Sequence, residues 1–124
     1  MDFDYDLLRR LSEAPGVPGR EEAVREIVGD ALADLGLDLR VDAMGNLVAE
    51  TTGPEGAPKV MVSAHMDEIG FLVRHVGDDG FLRVQNLGGF DVRNLFARQV
   101  LVHARGGEPR VGVLHPAVKP VHIA

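Results

Sequence analysis

Three residues in one short stretch have the types and spacing to do chemistry: His65, Asp67 and Glu68, within Val60-Met61-Val62-Ser63-Ala64-His65-Met66-Asp67-Glu68-Ile69-Gly70. Side chains two positions apart on a strand point to the same side. His65 and Asp67 are therefore expected to face one way, and Glu68 the other unless the strand ends there. An imidazole with a carboxylate beside it suits a metal ligand whose second ring nitrogen is steadied by a hydrogen bond. The spacing by itself is weak, because an ordinary partly buried histidine near acids accounts for it without any metal. Position strengthens it. Val60 to Ala64 is a continuous apolar run, the pattern of a strand covered on both faces, and open sheets present ligands at the ends of such strands.

No other residues compete with this group. His75 and His103 fall in strand-like segments and His115 and His122 in the tail, none with a second ligand at metal spacing. All four read as structural or solvated, and Glu21 and Glu22 as charges at a helix start. Glu68 reads as a partner in a local ion pair or hydrogen bond. Gly88-Gly89 lacks the strand-to-helix setting of a phosphate loop and reads as a turn. Ser12 and Ser63 are the only serines and no Gly-x-Ser-x-Gly elbow is present, which disfavours a serine hydrolase.

Elements that could position the group are legible on both sides of it. Residues 4–14 are expected to form a helix with Asp4 as N-cap, Leu7, Leu8 and Leu11 on one face, and Pro15 enforcing the stop. Ala14 to Gly19 is a stiff turn. A second helix is expected over about 20–35, from the spacing of Ala23, Val24, Ile27, Val28, Ala31, Leu32 and Leu35, with Gly36 ending it. Gly29 inside that helix costs about 1 kcal/mol against alanine, which points to close packing there. Leu37, Leu39 and Val41 alternate with polar residues as a half-buried strand; Met44-Gly45-Asn46 turns the chain, and 47–51 returns it as a hairpin. After a Gly/Pro loop over 52–58 comes the central strand. Beyond Gly70 the texture is short strands over 71–76, 81–85, 99–105 and 110–114, with one helical turn from Asp91 to Phe96 capped by Asp91. That is the composition of a small β-barrel or sandwich, and it places a boundary near 68–70.

Composition bounds the rest. The 124 residues suit one domain or two very small ones, and aromatics at 5% leave the core to Val, Leu, Ile and Ala. A net charge of -6 without a basic face argues against nucleic acid as a partner. The absence of cysteine rules out disulfides and thiolate metal sites. The acidic start Met1 to Asp6 lacks the pattern of a signal peptide, and no apolar run approaches the ~20 residues of a membrane span. A soluble cytoplasmic protein is expected. Two helices cannot cover both faces of the sheet, so more chain or another subunit is needed to complete the fold.

Four blocks in this order carry a resemblance: Ala14-Pro15-Gly16-Val17-Pro18-Gly19 before Glu21-Glu22; Val41-Asp42-Ala43-Met44-Gly45-Asn46-Leu47; Ala64-His65-Met66-Asp67-Glu68-Ile69-Gly70-Phe71; and Leu87-Gly88-Gly89-Phe90-Asp91. From about residue 7 to His122 the chain resembles the N-terminal part of the glutamyl aminopeptidase family, which includes the tetrahedral aminopeptidases. The resemblance implies an α/β fold. Residues 1–68 would be the first segment of an αβα metallopeptidase domain, and 69–124 the start of an inserted β-barrel-like domain that supports dimerisation. It implies metal-dependent removal of N-terminal residues from peptide substrates, with two divalent ions, zinc or cobalt, in an intact relative. His65 matches the family's first metal ligand and Asp67 the catalytic-site acid that orients it. The remaining ligands and the glutamate general base lie further along such a chain than Ala124, so this chain alone is expected to be inactive and to bind metal weakly. No membrane or nucleic-acid partner is implied, and a homo-oligomer through the β-rich segment is.

Two competing readings arise from the same residues. A non-catalytic assembly or interaction module could be built on these segments, and it would lack the downstream ligand set. Some family members carry the name endoglucanase. Glycosidases need two facing carboxylates about 5 to 9.5 Å apart, whereas Asp67 and Glu68 are adjacent and diverge on a strand, so the residues give that name no support.

Overall fold

The computed structural model describes residues 4–115; His122 and the rest of the tail lie outside them. Asp4 caps α1 (Tyr5–Glu13), its Oδ1 accepting from the Leu7 amide at 2.9 Å. Leu7 and Leu11 are half-buried while Leu8 stays exposed, so the apolar face is narrower than its spacing suggests. Helix α2 (Glu22–Leu32) carries Val24 inward and continues as a 3-10 turn, Ala33–Leu35, closed by Gly36 at φ 66. Its start is later than 20 because the preceding residues are held in a tight turn: Arg20 donates to the Val17 carbonyl at 2.8 Å, and the Gly19 amide donates to Glu21 Oε1 at 2.6 Å. Gly29 faces open space, with nothing within 4 Å of where a Cβ would sit. Close packing therefore does not explain it.

Strands β1 (Asp38–Val41) and β2 (Leu47–Glu50) pair antiparallel, Leu39 opposite Ala49 and Val41 opposite Leu47. The Asp42 carboxylate holds the turn between them. It accepts from the Met44 and Asn46 amides, each at 2.9 Å, and from the Asn46 side-chain amide at 2.8 Å. Strands β3 (Gly70–Val76) and β4 (Leu82–Leu87) form a second antiparallel pair, with a register irregularity between Val73 and His75.

The central strand expected over 60–64 does not form. These residues make no strand ladder, and Val60, Met61 and Val62 are 84%, 88% and 93% exposed. An extended apolar run becomes a buried strand only where neighbours flank it, and among the described residues none does.

Contacts within the chain divide it into two units, one running to Gly88 and one from Gly89. The first includes β3–β4 as well as the helices, because Gly70 lies directly against Val17 of the turn before α2. In the second unit, Asp91 caps a 3-10 turn, Val92–Leu95, through the Arg93 amide, and Arg93 also clasps the Asp91 carboxylate at 2.7 Å. Strands β5 (Gln99–Val102) and β6 (Arg110–Val113) then pair antiparallel. β5 stops short of His103. The described strands pair as three two-stranded sheets, β1–β2, β3–β4 and β5–β6. Among the described residues no helix is long and apolar enough to cross a membrane.

Candidate metal-ligand site

The site is built on a small buried nucleus. Among the described residues only Gly16 and Val24 are buried, and Gly16 lies between Val24 and the Met66 carbonyl. The Gly16 carbonyl accepts from the Glu68 amide at 2.7 Å. A Cβ on Gly16 would stand 2.8 Å from Val24 Cγ2 and 3.3 Å from the Met66 carbonyl oxygen. The Ala14–Gly19 turn, itself fixed by two prolines, is thus the floor on which residues 66–68 rest.

Above that floor His65 and Asp67 are brought together. His65 Nδ1 lies 2.9 Å from the Asp67 carbonyl oxygen and 3.2 Å from Asp67 Oδ1. A carbonyl oxygen can only accept, so Nδ1 carries the proton in this arrangement, and the lone pair of an uncharged ring would lie on Nε2. The His65 side chain is 84% exposed and Asp67 42%. The pairing therefore does not come from a buried strand end. It comes from the imidazole folding back onto the backbone and carboxylate two residues on. Glu68 contributes its backbone N–H to the Gly16 contact, and its side chain is exposed.

A shallow hollow beside Asp67 is lined by Glu21, Met44, Gly45, Asn46, Ala64 and Met66. Arg25 of α2 ties down one of its lining residues, donating from Nη1 to the Gly45 carbonyl at 2.9 Å. The Asp42 carboxyl of the same turn is held below the ordinary carboxylate range, chiefly by the Asn46 side-chain amide and then by the Asn46 backbone amide. Sequence reasoning misses Arg25 and reads Glu21 only as a helix-start charge. The Arg25–Gly45 contact joins residues 20 positions apart, and no local spacing announces it. Glycine at 45 is the one available signal, since its φ of 88 belongs to the left-handed region.

The donor set is incomplete for a closed site. No group of three or more His, Cys, Asp or Glu able to hold a metal occurs among the described residues. His75, His103 and His115 join no such group.

The chain belongs to the M42 glutamyl aminopeptidase family, whose model matches residues 45–124. It is 40% identical over 121 residues to a lysyl aminopeptidase of Pyrococcus furiosus, covering 97% of this chain and 34% of that protein. It is 37% identical over 112 residues to the putative aminopeptidase FrvX of Escherichia coli, covering 90% of this chain and 31% of that one. Among solved structures, an aminopeptidase from the archaeon Desulfurococcus kamchatkensis superposes with a TM-score of 0.84 at 37% identity, over 95% of this chain and 32% of its own. A TET peptidase of Pyrococcus horikoshii, which can assemble into a tetrahedron or a large octahedral shell, superposes at 0.77 with 36% identity, over 94% and 34% of the two chains. The resemblance carried by the four sequence blocks is therefore borne out. The chain spans about a third of the length of the curated relatives named here.

Proposed function

We propose that this chain is the N-terminal portion of a metal-dependent aminopeptidase that removes N-terminal residues from peptides. In this reading His65 is one ligand of a two-metal centre and Asp67 is the acid that orients it. Residues 1–68 begin the catalytic α/β domain, and 69–124 open the inserted β-rich domain through which copies of the protein assemble. The observation that carries the reading is the His65–Asp67 geometry, in a segment matched by the family model.

The residues present fit one position of such a centre. Nε2 of His65 is the atom that would meet a metal, and the Nδ1 proton held by Asp67 fixes the tautomer and the orientation of the ring. Paired divalent ions, when bound, supply a water of lowered pKa and polarise the scissile carbonyl. Asp67 and the Gly16–Glu68 contact keep the imidazole from swinging away. No residue of this chain is assigned as the glutamate base or as a ligand shared by two ions.

A chimera tests this. Residues 1–124 replace the matching segment of the Pyrococcus furiosus lysyl aminopeptidase, and the full-length product is assayed on aminoacyl-nitroanilides with added Zn²⁺, Co²⁺ or Mn²⁺. The chimera should turn over substrate only with metal. His65→Ala should reduce it to background, and Asp67→Ala should lower it about 10- to 100-fold. An assembled, folded chimera without activity, or one indifferent to His65→Ala, would defeat the proposal. The 124-residue chain alone should show no metal-dependent turnover in the same assay.

A further inference from the structure

We infer that Gly16 is a positioning residue for the His65–Asp67 pair, acting through its missing side chain and its carbonyl. For its functional meaning the inference rests on His65 being a metal ligand, but its geometry stands without that reading. Two peptide groups flank Asp67, and Gly16 touches both. The Met66 carbonyl approaches so closely that a Cβ on Gly16 would sit 3.3 Å from its oxygen, and the Glu68 amide donates to the Gly16 carbonyl at 2.7 Å. Both contacts fix the backbone that presents the Asp67 carbonyl, and that carbonyl is the nearer acceptor of the His65 Nδ1 proton, at 2.9 Å against 3.2 Å for Oδ1. Gly16 thereby favours the tautomer that leaves Nε2 open, acting through the backbone of residues 66–68.

Alanine at 16 disturbs this in two separable ways. Its Cβ meets Val24 Cγ2 at 2.8 Å, a matter of packing, and the Met66 oxygen, a matter of the site. Val24→Ala removes the first contact and leaves the second. The experiment compares the native chain, Val24→Ala and Gly16→Ala/Val24→Ala by long-range proton–nitrogen NMR of the His65 ring, at a pH where the imidazole is neutral and without metal. The native chain and Val24→Ala should both favour the Nδ1–H form. The double variant should lower the ratio of Nδ1–H to Nε2–H by about two- to tenfold, the weight of one ordinary net hydrogen bond. An unchanged ratio in the double variant would overturn the inference, as would a native chain with no preference for Nδ1–H. Loss of the α2 amide signals in the double variant alone would also overturn it, since Gly16 would then be holding the fold rather than the pair. None of these outcomes depends on peptidase activity, whereas failure of the chimera would strike only the functional reading.

Discussion

Val24→Ala probes whether the small nucleus under the His65–Asp67 turn is what stabilises the first unit. Val24 is 6% exposed and is the one buried apolar side chain among the described residues. Its Cγ2 points at Gly16, so truncation opens a gap between α2 and the Ala14–Gly19 turn. Two methyl groups at about 0.8 kcal/mol each set the transfer loss near 1.6 kcal/mol, and incomplete collapse of the gap adds to it. Alanine's better helix propensity offsets about 0.5 kcal/mol, since Val24 lies within α2. The net expectation is about 1 to 2 kcal/mol. Amide hydrogen exchange across α2 reads it directly, as roughly a 5- to 30-fold loss of protection. Val62→Ala is the control: at 93% exposure it should change α2 protection by less than about twofold at a concentration where the chain is monomeric. The reasoning is refuted if Val24→Ala leaves protection within twofold, or if Val62→Ala costs as much as Val24→Ala.

Three further outcomes are expected. The isolated chain should bind divalent metal weakly, because one imidazole falls short of the three or four protein ligands that hold zinc; calorimetry showing a submicromolar site abolished by His65→Ala would contradict this. With Val60 to Val62, Phe81, Leu101, Val111 and Val113 all exposed, the folded chain should self-associate as its concentration is raised, and sedimentation showing a monomer at every concentration would oppose that. The Asp42 carboxyl is depressed from 3.8 by its bonds to Asn46, so its contribution to the β1–β2 turn is complete above the unfolded value and is lost as pH falls through the folded one. The Asn46 side-chain amide signal should therefore shift only in strong acid, and a midpoint at or above 3.8 would contradict the assignment.

The features legible in the sequence are local ones. Asp4 and Asp91 each cap the helical turn beginning at the next residue, because a carboxylate needs only an amide two or three residues away. The β1–β2 hairpin comes from alternation around a turn whose Asp42 and Asn46 find each other within five residues. The His65–Asp67 pair is legible as spacing, although the strand invoked to align it is absent. Everything that depends on coverage is illegible. Val60 to Ala64 has the composition of a buried strand, but burial belongs to the neighbours and not to the run itself. Gly29 reads as a packing residue on the same kind of inference, and it faces open space. The Gly16 contacts span about fifty residues and leave no periodic trace, so only coordinates reveal that the Pro15–Pro18 turn supports the site.

The exposed run also makes one peptide bond informative. Between β2 and β3 the chain contains no regular element, and the bond after Lys59 sits in the middle of that stretch with exposed residues on both sides. Trypsin cuts after lysine, and exposed loops are its preferred targets. In any form of the protein where residues 60–64 become an interior strand, the same bond lies at the threshold of that strand and is shielded. Its rate of cleavage therefore measures, in crude extract and without purification, what fraction of the polypeptide has found its covering partner.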